Sequence, residues 1–292
     1  MRDNFAFESA GERCAAWLYK PAELDGCAPC VVMAHGFSAT RDQALGAYAE
    51  EFCAAGYVVL LFDYRHFGDS AGQPRQLLSI ARQQQDWMAA IAAARAMPEV
   101  DDQRIALWGS SFSGGHVQHL AARDAGIAAV VAQVPFCDGL RNLPALGLGH
   151  ALKLSGAGLR DVLQSALGFG PYRVPAVGAP GSLAVMDTPD AQPGFAAMTA
   201  ADSLWQNAVC ARIALHVARY RPGRDAARIS CPILYAIAER DQVTPAALAH
   251  AAARRAPHAE TRCYDCGHFD PYLPPLWDGV VQDQVDFLRR HL

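Results

Sequence analysis

Apolar residues gather along this chain in two kinds of cluster. Short runs, "PCVVMAH" (29–35), "GYVVLLFD" (56–63), "RIALWG" (104–109), "IAAVVAQV" (127–134), "CPILYAIA" (231–238) and "AETRCYD" (259–265), have the length and residue types of strands. Between them, 42–55, 76–97, 112–124, 245–256 and 276–291 repeat apolar positions at helical spacing, with Pro98, Gly126 and Pro257 near the expected stops. An opening hairpin, "NFAFES" and "ERCAAWLYK" about Ala10-Gly11, adds two antiparallel strands. The alternation predicts an α/β protein, a mostly parallel eight-stranded sheet with helices on both faces.

One interval breaks the rhythm. From Pro135 to Arg228 there is no clear strand run, Pro and Gly recur up to Gly194, and an amphipathic stretch covers 202–220. Structureless loops of that length are uncommon in compact domains. The expectation is a helical cap at 135–228, inserted after the sixth strand of a core made by 1–134 and 229–292.

Composition narrows the partners. With 292 residues, 52% of them hydrophobic, the chain can build one large core, and a formal net charge of −4 offers no electrostatic case for nucleic acid. The N-terminus carries charges in its first dozen residues and lacks the apolar stretch of a signal peptide. The longest apolar run, 126–134, is too short for a membrane-spanning helix. A cytoplasmic protein without a membrane partner is therefore expected, and a homo-oligomer is compatible with the sequence. The nine cysteines are odd in number and scattered, which fits a reducing compartment. Cys27/Cys30 and Cys263/Cys266 share C-x-x-C spacing and raise a four-thiolate zinc site. Cys30 and Cys263 lie in strand runs without the Gly-rich knuckle of such sites, and no metal is expected.

The stretch "RIALWGSSFSGGH" (104–116) holds the candidate chemistry. A nucleophilic serine on a tight strand-to-helix turn needs small residues two positions before and after it. Ser110, between Trp108 and Phe112, fails. Ser111 has Gly109 and Ser113; Ser113 has Ser111 and Gly115 but lies well beyond the strand. Ser111 is the first candidate and Ser113 the second. Neither phosphate-loop pattern, G-x-x-x-x-G-K-[ST] or G-x-G-x-x-G, is present.

A serine needs an imidazole to take its proton and a carboxylate to orient that imidazole. "LYAIAERDQVTP" places Asp241 just past a strand, and "CYDCGHFDPY" places His268 just past the next. In a parallel sheet these ends share an edge with Ser111. Asp138 in "VPFCDG" is the alternative acid, and Glu239 is assigned to the turn. "HGF" (35–37), "DYRHFGDSAG" (63–72), "GSSFSGG" (109–115) and "GHFDPY" (267–272), in the order serine, acid, histidine, resemble serine α/β-hydrolases over nearly the whole chain. The second motif is similar to the D-x-R-G-x-G-x-S-x-G pattern of dienelactone-hydrolase-like and X-Pro dipeptidyl-peptidase-like members, with His66 replacing a glycine.

The resemblance implies an α/β-hydrolase fold and cleavage of a carboxylic ester or thioester of a small-molecule acyl substrate. Ser111, Asp241 and His268 would be catalytic, and the backbone N–H groups of Phe37 and Phe112 would form the oxyanion hole, without metal or organic cofactor. Acyl-aminopeptidase, C–C bond hydrolase and acyltransferase chemistry could use the same residues, and a non-catalytic binding protein could retain the fold. His35 is expected to order the loop of Phe37, and Asp63, Arg65 and Asp69 to brace loops. The arginines at 212, 219, 221, 224 and 228 raise an anionic acyl carrier against the simpler reading of a solvated surface. Substrate-binding residues stay unassigned.

Overall fold

The computed structural model describes residues 2–24 and 26–292. The chain opens with β1 (Arg2–Ser9), β2 (Glu12–Tyr19), β3 (Ala28–Ala34), α1 (Leu45–Ala54), β4 (Val58–Phe62), α2 (Ile80–Arg95), β5 (Val100–Ser110), α3 (Phe112–Ala121) and β6 (Ile127–Gln133). The segment expected as an insertion follows, with α4 (Gly139–Leu146), α5 (Leu148–Ala166), β7 (Arg173–Val174), α6 (Ala191–Met198) and β8 (Val209–Cys210), and the chain closes with β9 (Ile233–Ala238), α7 (Ala246–Ala253), β10 (Ala259–Tyr264) and α8 (Trp277–His291).

Eight strands form one sheet in the order β1-β2-β4-β3-β5-β6-β9-β10. β2 is antiparallel to both its neighbours, and every other pairing is parallel. Pleating divides the core. On β4, Val58, Leu60 and Phe62 share a cluster with Trp87 and Ile91 of α2 and Val117 of α3. Val59 and Leu61 join Tyr48 and Phe52 of α1 and Val285 and Leu288 of α8 on the other face. β4 and β9, covered on both sides, bury every residue, which is why they read as unbroken apolar runs rather than alternating ones. Because β3 to β6, β9 and β10 all run one way, the loops after them leave from one edge of the sheet.

The insertion differs from its sequence expectation in two places. Residues 202–220 form no α-helix; they give coil, β8, and 3-10 turns at Ala211–Leu215 and Val217–Arg219. Their amides are taken by distant acceptors: Cys210 N–H donates to Gln76 O (2.8 Å), Ala211 N–H to Tyr172 O (2.9 Å) and Arg212 N–H to Asp161 Oδ2 (2.9 Å). Those bonds leave no i to i−4 ladder. The missed strand run is the short antiparallel ribbon of β7 and β8. Within the Gly-rich stretch, α5 runs for 19 residues. At Gly158 a Cβ would lie 3.0 Å from Ala211 O and 2.9 Å from Leu215 Cγ, so this glycine lets α5 sit against the 3-10 turn. Entry and exit of the insertion are pinned together by Gly139 N–H to Tyr220 O and Gly223 N–H to Cys137 O, both 2.8 Å.

The two C-x-x-C pairs do not meet, since β5, β6 and β9 separate β3 from β10. Among the described residues no helix is long and apolar enough to cross a membrane.

Candidate active site

Ser111 is the single residue between β5 and α3, with φ +56° and ψ −118°, a conformation side chains avoid. The turn closes because its neighbours are small. A Cβ on Gly109 would lie 2.4 Å from Ser113 O, and one on Gly115 2.7 Å from Phe136 O. Ser113 is buried with its hydroxyl 2.8 Å from Tyr64 Oη, and the Ser110 hydroxyl bonds Tyr272 Oη. Of the three serines, Ser111 meets an imidazole: its Oγ is 3.0 Å from His268 Nε2.

His268 follows β10 and is buried; its Nδ1 lies 2.6 Å from Asp241 Oδ2. That contact puts the ring proton on Nδ1 and leaves the Nε2 lone pair facing Ser111. Asp241, just beyond β9, is itself held on both oxygens. Oδ1 accepts the N–H groups of Val243 (2.8 Å) and Thr244 (2.7 Å), and Thr244 Oγ1 is 2.8 Å from Oδ2. Thr244 Oγ1 also lies 3.0 Å from Val134 O and 3.3 Å from His268 Nδ1. Asp138 serves elsewhere: Arg221 grips it with two 2.8 Å bonds, and it caps α4 by accepting the Arg141 N–H (3.1 Å).

Phe37 and Phe112 line the cavity beside Ser111. Phe112 is the first residue of α3, where a helix leaves N–H groups without intrahelical acceptors. The two phenyl rings pack edge to face, 5.6 Å between centroids, tying the loop after β3 to the start of α3. Gly36 lets that loop close, since a Cβ there would lie 3.0 Å from Ser111 Cβ. His35 Nδ1 is 3.0 Å from Gly36 O, and burial lowers this imidazole to about 4, so the ring is neutral near pH 7. Arg41 secures the far end by pairing with Asp63 and, at 2.5 Å, with Asp69; burial lifts the Asp63 carboxyl to about 6 against the pull of Arg41. Arg65 does not join this pair; it bonds Asp86 on α2 at 2.5 Å.

A cavity of about 110 Å³ opens beside Ser111, walled by Phe37, Phe112, Phe136, Leu143, Leu146 and Met186, with Asp187 as its one carboxylate. A smaller one of about 30 Å³ adjoins it on the His268 side, sharing Phe37, Ser111 and Met186. The inserted segment thus supplies wall residues that the sequence left unassigned. Thr244 was also missed; an Asp followed three residues later by Thr before a helix was the available signal. The insertion's arginines do not line the cavity, and several are occupied: Arg212 with Asp161 (2.6 Å), Arg221 with Asp138 and Arg228 with Asp225 (2.5 Å).

Sheet order, flanking helices and this serine at the strand-to-helix turn define an α/β hydrolase, a hydrolase-class chain. It belongs to the serine aminopeptidase S33 family, whose model matches residues 27–268. The quorum-quenching protein AidA of Acinetobacter baumannii is 44% identical over 284 residues, 97% of this chain and 93% of that one. Among solved structures, DcsB in complex with its substrate analogue superposes with a TM-score of 0.87 at 22% identity, covering 100% of each chain. The α/β hydrolase GrgF from Penicillium gives 0.84 at 24%, covering 100% of this chain and 99% of that one. At such identities these two likenesses speak for the fold alone.

Proposed function

We propose that the chain is a serine hydrolase that cleaves a carboxylic ester or thioester by two-step acyl transfer to water. The observation that carries this reading is the continuous contact from Ser111 Oγ to His268 Nε2 (3.0 Å) and from His268 Nδ1 to Asp241 (2.6 Å). Ser111 Oγ attacks the acyl carbon as its proton passes to His268 Nε2, and the carbonyl electron pair moves onto oxygen. The Phe37 and Phe112 amides donate to that oxyanion; one such donor is worth about 3 kcal/mol of barrier. The oxyanion collapses, the bond to the leaving group breaks, and His268 gives the leaving atom its proton. Water then repeats the sequence on the acyl-enzyme and releases the acid.

The residues 135–228 act as a cap in this reading, and their apolar wall favours an apolar acyl group. The AidA likeness extends it: the substrate would be a cell–cell signal molecule carrying an ester or thioester bond. A fluorophosphonate probe tests the core of the proposal. Wild type labels and Ser111→Ala does not; equal labelling of both defeats the assignment. A panel of p-nitrophenyl esters, acyl thioesters and aminoacyl amides then ranks the bond types, and turnover confined to the amides would replace ester chemistry with aminopeptidase chemistry.

A further inference from the structure

Strand pleating brings a second set of reactive side chains together outside the cavity. Cys263 on β10 is paired in register with Ile237 on β9, so both project to the same side of the sheet. Glu239, two residues past Ile237, stays on that side as β9 ends, held by its N–H bond to Tyr264 O (2.9 Å). α7 covers this side, as Ile237 and the α7 residues Ala249 and Ala252 belong to one core cluster. His250 of α7 therefore arrives over the pair: its Nε2 is 2.9 Å from Glu239 Oε1. One donor atom from each of Glu239, His250 and Cys263 lies within 4.8 Å of the other two.

We propose that Glu239, His250 and Cys263 form a zinc site. Thiolate, imidazole and carboxylate are the three ligand types that Zn²⁺ accepts together, whereas magnesium and calcium would refuse the sulfur. Around tetrahedral zinc, donors at 2.0–2.3 Å stand about 3.3–3.8 Å apart, so the side chains need to close by only roughly 1 Å. All three project from the ends or bodies of regular elements, which limits the ordering cost. On binding, the Cys263 S–H bond breaks with its electron pair going to the new S–Zn bond, and the proton leaves to solvent. His250, whose Nε2–H donates to Glu239 in the metal-free chain, shifts that proton through solvent to Nδ1 and coordinates through Nε2; Glu239 exchanges its bond to His250 for the metal. No oxidation state changes, and the fourth position stays open to water. Cys263, half of a C-x-x-C pair that does not meet its counterpart, finds its ligand partners across the strand and helix instead.

Cobalt(II) reports thiolate ligation by a near-ultraviolet charge-transfer band, independently of any catalysis. Titrating the intact, reduced chain should give this band at one equivalent, and added zinc should abolish it. Cys263→Ser should lose the band; Glu239→Gln and His250→Gln should each weaken zinc binding by about tenfold or more. Cys27→Ser, which removes an exposed thiol elsewhere, should leave it unchanged. The wild-type Tm should rise with zinc concentration, and that of Cys263→Ser should not. A band that survives in Cys263→Ser, affinities unmoved by the Glu239 and His250 substitutions, or no cobalt binding by the wild type would overturn the site.

Discussion

Replacing Thr244 by valine keeps the shape of the side chain and deletes one hydroxyl. Asp241 has four hydrogen-bond contacts: the Val243 and Thr244 amides on Oδ1, and Thr244 Oγ1 and His268 Nδ1 on Oδ2. The hydroxyl and His268 share one oxygen, so its loss frees Oδ2 to swing away from Nδ1. A hydrogen bond to a charged group is worth about 1.5–3 kcal/mol. In the proposed mechanism His268 gains its charge as the proton leaves Ser111, so most of this loss falls on the transition state. With about 1.5–2 kcal/mol lost there, kcat should fall roughly 10–30-fold while KM stays within about twofold. Thr244 is buried and also lies 3.0 Å from Val134 O, so a chemical unfolding curve must show the variant folded at assay temperature. Steady-state kinetics on a p-nitrophenyl ester make the measurement, and Thr244→Ser, which retains the oxygen, should recover most of the rate. Full activity in Thr244→Val, or equal loss in the serine and valine variants, would refute the positioning argument.

The acid assignment separates cleanly: Asp241→Asn should lower kcat by on the order of 10⁴, and Asp138→Asn should leave it within about threefold while lowering Tm. Equal effects of the two on kcat would reverse the choice. Gly109→Ala puts a methyl group 2.4 Å from Ser113 O, and the backbone has to move; urea unfolding should show a loss of at least about 3 kcal/mol. Acid stability has a worked sign. Burial lowers His35 and His66 to about 4 and His116 to about 3, so the unfolded chain takes up protons below pH 6.5 that the folded chain refuses. Stability should be full above that point and fall as pH drops, by about 2 kcal/mol per buried histidine between pH 7 and 5. Asp63, lifted to about 6, works the other way and offsets part of the loss as it protonates. His116→Gln should flatten the slope measured by urea unfolding at the two pH values; an unchanged slope would reject this account.

What the sequence disclosed follows from where the forces are local. β4 and β6 were legible because burial on both faces demands consecutive apolar residues, and "VVLLF" and "IAAVVAQ" have few other uses. Ser111, Asp241 and His268, which the structure brings into contact, could be picked out because each sits just past a strand whose end could be read. α5 was hidden because Gly156 and Gly158 lower its helix propensity, and what compensates is contact with Ala211 and Leu215, more than fifty positions away. Residues 202–220 misled for the complementary reason: their apolar spacing suited a helix, but Gln76, Tyr172 and Asp161 claimed the amides. Thr244 escaped because a hydroxyl that matters through a neighbour's carboxylate leaves no periodic trace.

The backbone at Ser111 has a cost that outlasts any single turnover. A side chain held at φ +56° and ψ −118° raises the free energy of the folded protein by about 1–3 kcal/mol, and alanine there inherits the same penalty. Glycine would be relieved of it, losing only about 0.5–1 kcal/mol to its looser unfolded chain. Ser111→Gly, inactive under the proposed function, should therefore outlast the wild type in a melting experiment, because this protein forgoes some robustness to keep the Ser111 hydroxyl raised.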